Sequence, residues 1–376
     1  MRIVVAVDSF KGSLSSLEAG SAVKAAALKI FKDVEVVVLP LADGGEGTVQ
    51  ALYSGLGGKL IDVTVTGPLR KQVNATYCIL NDGKTAVVEM ASAAGLTLVS
   101  ENERNPLNTT TYGVGEIIKD AVNKGCRRFI VGIGGSATND GGVGMLAALG
   151  YKFYDKNGVE IVLGAKGLEN LKSISSSDVL PELKECSFRV ACDVTNPLCG
   201  VKGCSAVFAP QKGATDEDIR KMDEWLRNYA ELSRDISSDA DPDFPGAGAA
   251  GGMGFAFSSF LNGKLESGIN IVLQETGFEN YAKSADLIIT GEGRLDAQTA
   301  MGKAPVGVAK IAKKHNKKVI AFAGSVSDDA VILRDYGIDE IYRITPKDTE
   351  LHEAMKKEVA YDNLCKTAQS VFSSIK

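Results

Sequence analysis

The chain opens and closes with short, uninterrupted apolar runs that empty into polar, glycine-containing turns. Residues 2–8 read RIVVAVD and residues 34–39 read VEVVVL. Runs of this kind, apolar on every position, belong to strands buried on both faces of a parallel sheet. Between them, residues 17–31 place Val23, Ala26, Ala27 and Ile30 on one helical face, so the first sixty residues predict a βαβ unit. Near residue 60 the period changes. Segments starting at Asp62, Val73 and Thr85 alternate polar and apolar residues and are joined by turns such as Asn81-Asp82-Gly83, which predicts antiparallel hairpins. The middle third mixes helices at 112–123 and 216–233 with strands at 129–131 and 188–192. The buried-strand pattern returns at 287–290, 319–323 and 341–344, interleaved with helices near 304–314 and 328–335 and a final helix running to 376.

Two such strands at the start and three at the end make one doubly wound parallel sheet of flavodoxin-like size. The expected architecture is therefore α/β: a discontinuous parallel domain, residues 1–60 and 283–376, carrying an inserted mixed α+β domain at 61–282. The active site is expected in the cleft between the two parts.

Length agrees, since 376 residues exceed what one core usually holds. Glycine, at 41 residues, is enriched in clusters rather than spread as low complexity, as functional loops require. A net charge of −5 leaves no broad basic face for nucleic acid. The lysine cluster around His315 reads as a solvated helix end. No apolar run approaches membrane-spanning length and no signal peptide is visible, so a cytoplasmic protein is expected. Seven cysteines, an odd number, read as reduced residues, and Cys199 with Cys204 lack zinc-ligand spacing.

The loops carry the chemistry. Residues 132–142 read GIGGSATNDGG, between an apolar strand and a helical segment. Glycines there let backbone N–H groups approach a ligand, Ser136 and Thr138 add hydroxyls, and the helix start adds its dipole; an anion site is predicted. Neither a Walker A loop nor a dinucleotide fingerprint fits this stretch. The strand-end loops at 8–13, 40–47 and 290–297 each combine acid, cation or hydroxyl with glycine, and the ends of parallel strands are where ligands bind. The plain alternative for Asp8 and Asp43 is helix N-capping. The insertion adds CDVTNP at 192–197, FAPQKGA at 208–214 and a glycine run at 245–254, for which close packing or a hinge explains as much as a ligand does. Only His315 and His352 exist, both expected to be solvated, so no histidine-dependent hydrolase has a base. Acid–base and metal work falls to carboxylates, which favour Mg²⁺, and this is the equipment of phosphoryl transfer.

Taken together, DSFKGS, PLADGGEGT, GIGGSATNDGG, CDVTNPL, FAPQKGA, PGAGAAGGMG and ITGEGRLDAQTAMGKAPVGVA resemble the bacterial glycerate kinase family, the type with a flavodoxin-like domain and a second α/β domain. The match runs in order to about residue 325, without departure, and is similar to neither P-loop nor ribokinase-like kinases. The resemblance implies ATP-dependent phosphorylation of D-glycerate at the 2-hydroxyl; a 3-phosphoglycerate product, or another small hydroxy acid as acceptor, stays open. A sugar-acid sensor is the non-enzyme alternative. It implies that Gly134, Gly135, Ser136, Thr138, Asn139 and Asp140 bind the ATP phosphates, supported by Lys212 or Lys303. Asp193 becomes the base, near Asn196. Lys11 and Arg294 hold the glycerate carboxylate or the moving phosphoryl group, with Asp8, Ser9 and Asp43 also facing substrate. Glu292 and Asp296 are the Mg²⁺ candidates, and a homodimer is compatible with the reading.

Overall fold

The computed structural model describes residues 1–375. Its strands, among the described residues, are β1 (Arg2–Val7), β2 (Glu35–Val38), β3 (Gly58–Thr66), β4 (Gln72–Leu80), β5 (Thr85–Glu89), β6 (Arg128–Gly132), β7 (Lys152–Tyr154), β8 (Ser173–Ser175), β9 (Ser187–Ala191), β10 (Lys264–Glu266), β11 (Leu287–Leu295), β12 (Lys318–Val326) and β13 (Glu340–Arg343). The chain divides into two compact units, residues 1–43, 50–57 and 269–376 in one, residues 44–49 and 58–268 in the other.

The first unit is built on a five-stranded, all-parallel sheet in the order β2-β1-β11-β12-β13. That is the flavodoxin-like winding, and its strand order reverses between β1 and β11. One face carries Ile3, Val5, Val7, Leu287 and Ile289 against helices Ser16–Ile30 and Lys357–Ile375. The other face is covered by helix Ala304–Lys314, on which Gly307 touches Ile269 and leaves no space for a side chain. Because helices Gly268–Glu275 and Phe278–Ser284 pack here, the unit resumes at 269 instead of the expected 283. The first helix is capped by Ser15 and Glu18 in a reciprocal box, so neither Asp8 nor Asp43 is spent as its cap. The segment 328–335 forms a 3-10 turn, Asp328–Arg334, instead of an α-helix. Bounded by Ser327 and by Gly337 at φ +97, it is too short to repay α-helix nucleation.

The second unit holds a six-stranded mixed sheet, β10-β9-β6-β5-β4-β3. The hairpin strands β3, β4 and β5 pair antiparallel as expected, but β5 then runs parallel to β6, and β6 to β9. Its core gathers Phe129, Val131, Phe188 and Val190 from the sheet with Val114, Ile117 and Ile118 from helix Tyr112–Asn123. The glycine run at 245–254 is packing. A Cβ on Gly248 would stand 2.2 Å from the Pro197 carbonyl oxygen, one on Gly251 2.1 Å from that of Thr138, and Gly141 N–H donates to Gly251 O. This run braces the turn at 134–142 backbone against backbone.

Candidate active site

In the first unit, Asp8 follows β1 and Glu292 lies in β11, neighbours across the point where the strand order reverses; Asp8 N–H donates to Gly291 O at 2.9 Å. Asp8 is only 4% exposed, and burial, then the charge of Asp43, pushes its carboxyl up to about 7. Glu292 is likewise pushed up by burial, against a hydrogen bond donated by the Thr299 hydroxyl at 2.7 Å. Lys11 reaches Asp43 at 3.1 Å. Burial works against its charge, but Asp43 outweighs it and its pKa rises. Ser9 is fixed by its N–H to Asp8 Oδ1 at 2.7 Å. Lys303 adds attraction for Glu292. So Asp8, Lys11, Asp43, Glu292 and Lys303 form one electrostatic cluster, with like charges left partly uncompensated.

Two residues on this side do different work from that expected. Asp296 accepts from Gln298 N–H as the cap of turn Ala297–Met301, and its other oxygen meets Arg294 at 3.1 Å. It serves as that cap. Arg294 is largely exposed, paired with Asp296 and also attracting Asp329. Among the described residues no group of three or more His, Cys, Asp or Glu is arranged as a metal cage. Mg²⁺ needs fewer protein ligands, since it keeps waters and phosphate oxygens. Asp8 and Glu292 carry the oxygen donors that such a partly coordinated ion takes, with Lys11 and Lys303 beside them.

In the second unit, the turn after β6 exposes Gly134 and Gly135, then dives inward. Among the described residues, neither glycine's N–H donates to a protein group. Beneath them lies Lys212, 2% exposed, donating to Ser136 Oγ at 2.7 Å and to Thr138 O at 2.6 Å. Burial lowers its pKa to about 8, with Cys204 and Asp140 pulling the other way. Thr138, Asn139 and Asp140 are completely buried, and Thr138 Oγ1 and Asn139 Oδ1 find no hydrogen-bond partner among the described residues. Asp140 accepts four bonds, from Thr111 N–H and Oγ, Gly142 N–H and Gly144 N–H. Burial pushes its carboxyl up against these bonds, and the side chain fills the start of helix Val143–Ala148. Asn139 donates to Ser205 Oγ at 2.9 Å. Asn196 donates to Lys202 O and shapes its own loop. Asp193 is exposed, with Oδ1 accepting from Gly268 N–H at 3.2 Å.

His315 is also corrected: it is part-buried and its Nε2 lies 2.9 Å from Glu279, tying two helices of the first unit together. Reasoning from sequence missed Glu89, Thr111 and Thr299. Glu89 had a signal, an acid closing an apolar strand as Asp8 does, but the strand was read as part of a hairpin.

Carboxylates on a parallel sheet in one unit, and a solvent-facing glycine pair with a buried lysine in the other, suit the class of α/β phosphotransferases, the kinases. The chain belongs to the glycerate kinase family, whose model matches residues 3–376. It is 47% identical over 375 residues to the glycerate 2-kinase of Escherichia coli K12, covering 100% of this chain and 98% of the relative. Over 376 residues it is 46% identical to the glycerate kinase of Bacillus subtilis 168, with the same coverage. A crystal structure from Salmonella typhimurium LT2, assigned as glycerate kinase 2, superposes at a TM-score of 0.91 with 46% identity, covering 100% of this chain and 98% of that one. No helix among the described residues is long and apolar enough to cross a membrane.

Proposed function

We propose that this kinase transfers the γ-phosphoryl group of ATP to the 2-hydroxyl of D-glycerate, releasing ADP and 2-phosphoglycerate. The observation that carries the reading is the full-length match to glycerate kinases, one of them named a 2-kinase. The site chemistry agrees with it. Backbone N–H groups of Gly134 and Gly135 are available to phosphate oxygens, and Lys212 supplies fixed positive charge under them. Asp193 is the acceptor of the hydroxyl proton. Lys11 and Arg294 are the cations for the glycerate carboxylate or the phosphoryl group, Arg294 through its planar fork. Asp8, Asp43 and Glu292 orient the acceptor, and Asp8 with Glu292 supplies oxygens for Mg²⁺. When bound, that ion would neutralise phosphate charge during transfer. The free thiols suit a cytoplasmic setting.

The test is direct. Purified protein, ATP, Mg²⁺ and D-glycerate are incubated, and the product is identified by phosphorus NMR. The 2-phospho ester is expected. A 3-phospho ester overturns the regiochemistry alone, while ATP consumption that ignores glycerate but follows another hydroxy acid overturns the substrate.

A further inference from the structure

The carboxyl ends of three neighbouring strands in the second unit lie in register: Glu89 of β5 pairs with Gly132 of β6, and Gly132 with Ala191 of β9. Residues 44–49 cross this line as a strap. A Cβ on Gly44 would stand 2.4 Å from that of Ala191, and one on Gly132 2.5 Å from Gly44 O. A Cβ on Gly134, in the exposed glycine pair, would reach within 3.0 Å of Gly45 Cα. The strap therefore lies against the turn by backbone contact, at distances that tolerate no side chain.

One carboxylate fixes it. Glu89 Oε1 accepts from Val49 N–H at 2.7 Å, and the Gly47 and Thr48 N–H groups also bond to Glu89. Thr48 completes the turn by donating its hydroxyl to Gly45 O at 2.8 Å. Three N–H groups at the start of helix Thr48–Leu56 are thus satisfied by one acid from the sheet edge. Glu89 is half-buried and points at backbone, so it is not available to a substrate.

We infer that Glu89 is a positioning residue for phosphoryl transfer: by anchoring Gly47, Thr48 and Val49 it presses Gly44 and Gly45 against Gly132 and Gly134 and so sets the shape of the phosphate-holding turn. The inference rests on the reading of Gly134 and Gly135 as that turn. It makes the strap's geometry, rather than the charge of Glu89, the quantity that matters.

Glu89→Gln keeps an acceptor oxygen in place, and Glu89→Ala removes it. Steady-state kinetics with ATP and D-glycerate are combined with amide hydrogen exchange of the substrate-free protein. Glu89→Ala is expected to lower kcat/KM for ATP at least tenfold, mainly through KM, and to speed exchange at residues 47–49 at least tenfold. Glu89→Gln is expected within about threefold of the parent in both. A merely structural role would lower the folded fraction, and with it kcat, without moving KM. Glu89→Ala within threefold of the parent, or Glu89→Gln as impaired as Glu89→Ala, overturns the proposal. Should Glu89→Ala fail to fold, Glu89→Asp withdraws the acceptor by one methylene and is held to the same thresholds. A parent protein that phosphorylates no hydroxy acid removes the kinase reading itself, whereas an active parent with indifferent variants removes only Glu89's role.

Discussion

Replacing Asp8 by Asn separates what the first unit gives up in stability from what its site gains. Asp8 ordinarily titrates near 3.8 but is held at about 7, first by burial and then by Asp43. Below pH 3.8 the acid is neutral in both folded and unfolded chains and costs nothing. As pH rises toward 7, the unfolded chain releases this proton while the folded chain keeps it, so stability falls. At about 1.4 kcal/mol per pH unit, the loss is about 1.7 kcal/mol at pH 5 and about 4 kcal/mol at pH 8. Asparagine is neutral throughout, nearly the same shape, and retains an oxygen for Ser9 N–H. Urea unfolding in magnesium- and nucleotide-free buffer should therefore find Asp8→Asn more stable, by about 2–3 kcal/mol more at pH 8 than at pH 5. Turnover should fall at the same time, because stability recovered at a site is usually function lost. A stability difference that stays flat between pH 5 and 8, or an Asn variant weaker than the parent at pH 8, refutes the idea that an uncompensated carboxylate sits at this strand end.

Three further substitutions probe the second unit. Lys212, held at about 8 against an ordinary 10.5, costs the folded state about 3 kcal/mol at pH 7, a cost relieved as pH climbs from 8 to 10.5. Lys212→Met should abolish that rise in urea-measured stability and raise KM for ATP at least tenfold. Its net change at pH 7 should be small, because Ser136 and the Thr138 carbonyl each lose a partner worth about 1–3 kcal/mol; an unchanged pH profile would show that the ammonium is not buried as charge. Gly251→Ala places a methyl 2.1 Å from Thr138 O at φ +71 and should cost about 2–4 kcal/mol, whereas Gly47→Ala, at φ +94 with no neighbour within 4 Å, pays only backbone strain of about 1 kcal/mol. Equal losses in urea melts would remove the steric account. Asp193→Asn should fold normally and lose about 10²- to 10⁴-fold in kcat; near-full turnover removes Asp193 as the base.

What could be read from the chain follows how local each signal is. The helices Tyr112–Asn123, Asp216–Ser233 and Ala304–Lys314 were legible to the residue because amphipathic periodicity marks them, and the second also carries a cap, Thr215 with Asp218. The parallel order of the first sheet was legible because strands buried on both faces carry no alternation. Short helices such as Met253–Phe260 were not, since a helix apolar all round shows no period. The strand-end position of Asp8 followed from the fold rule, whereas Glu292 lies inside β11, which runs on to Leu295 through the expected loop. The inward turn of Thr138, Asn139 and Asp140 did not, because polarity in a glycine-rich loop looks the same whether it faces a ligand or the protein's own backbone.

The number of donors reaching each strand-end acid sorts these residues by task. Asp140 receives four hydrogen bonds and Glu89 three, nearly all from backbone N–H groups at helix starts. Burial pushes both carboxyls up as it does those of Asp8 and Glu292, but their oxygens are engaged by backbone and fix chain position. Asp8 and Glu292 each receive one short bond and otherwise meet burial and mixed charges, Asp43 and Lys11 beside the first, Lys303, Asp296 and Lys11 beside the second. Lys11 and Lys303 offset part of that cost, and a carboxylate left in this state is a candidate for completion by an incoming cation, proton or hydroxyl. The difference is invisible to composition, for carboxylates read the same whether they face helix N–H groups or a ligand. It is decided by which of them finds a helix N-terminus within reach.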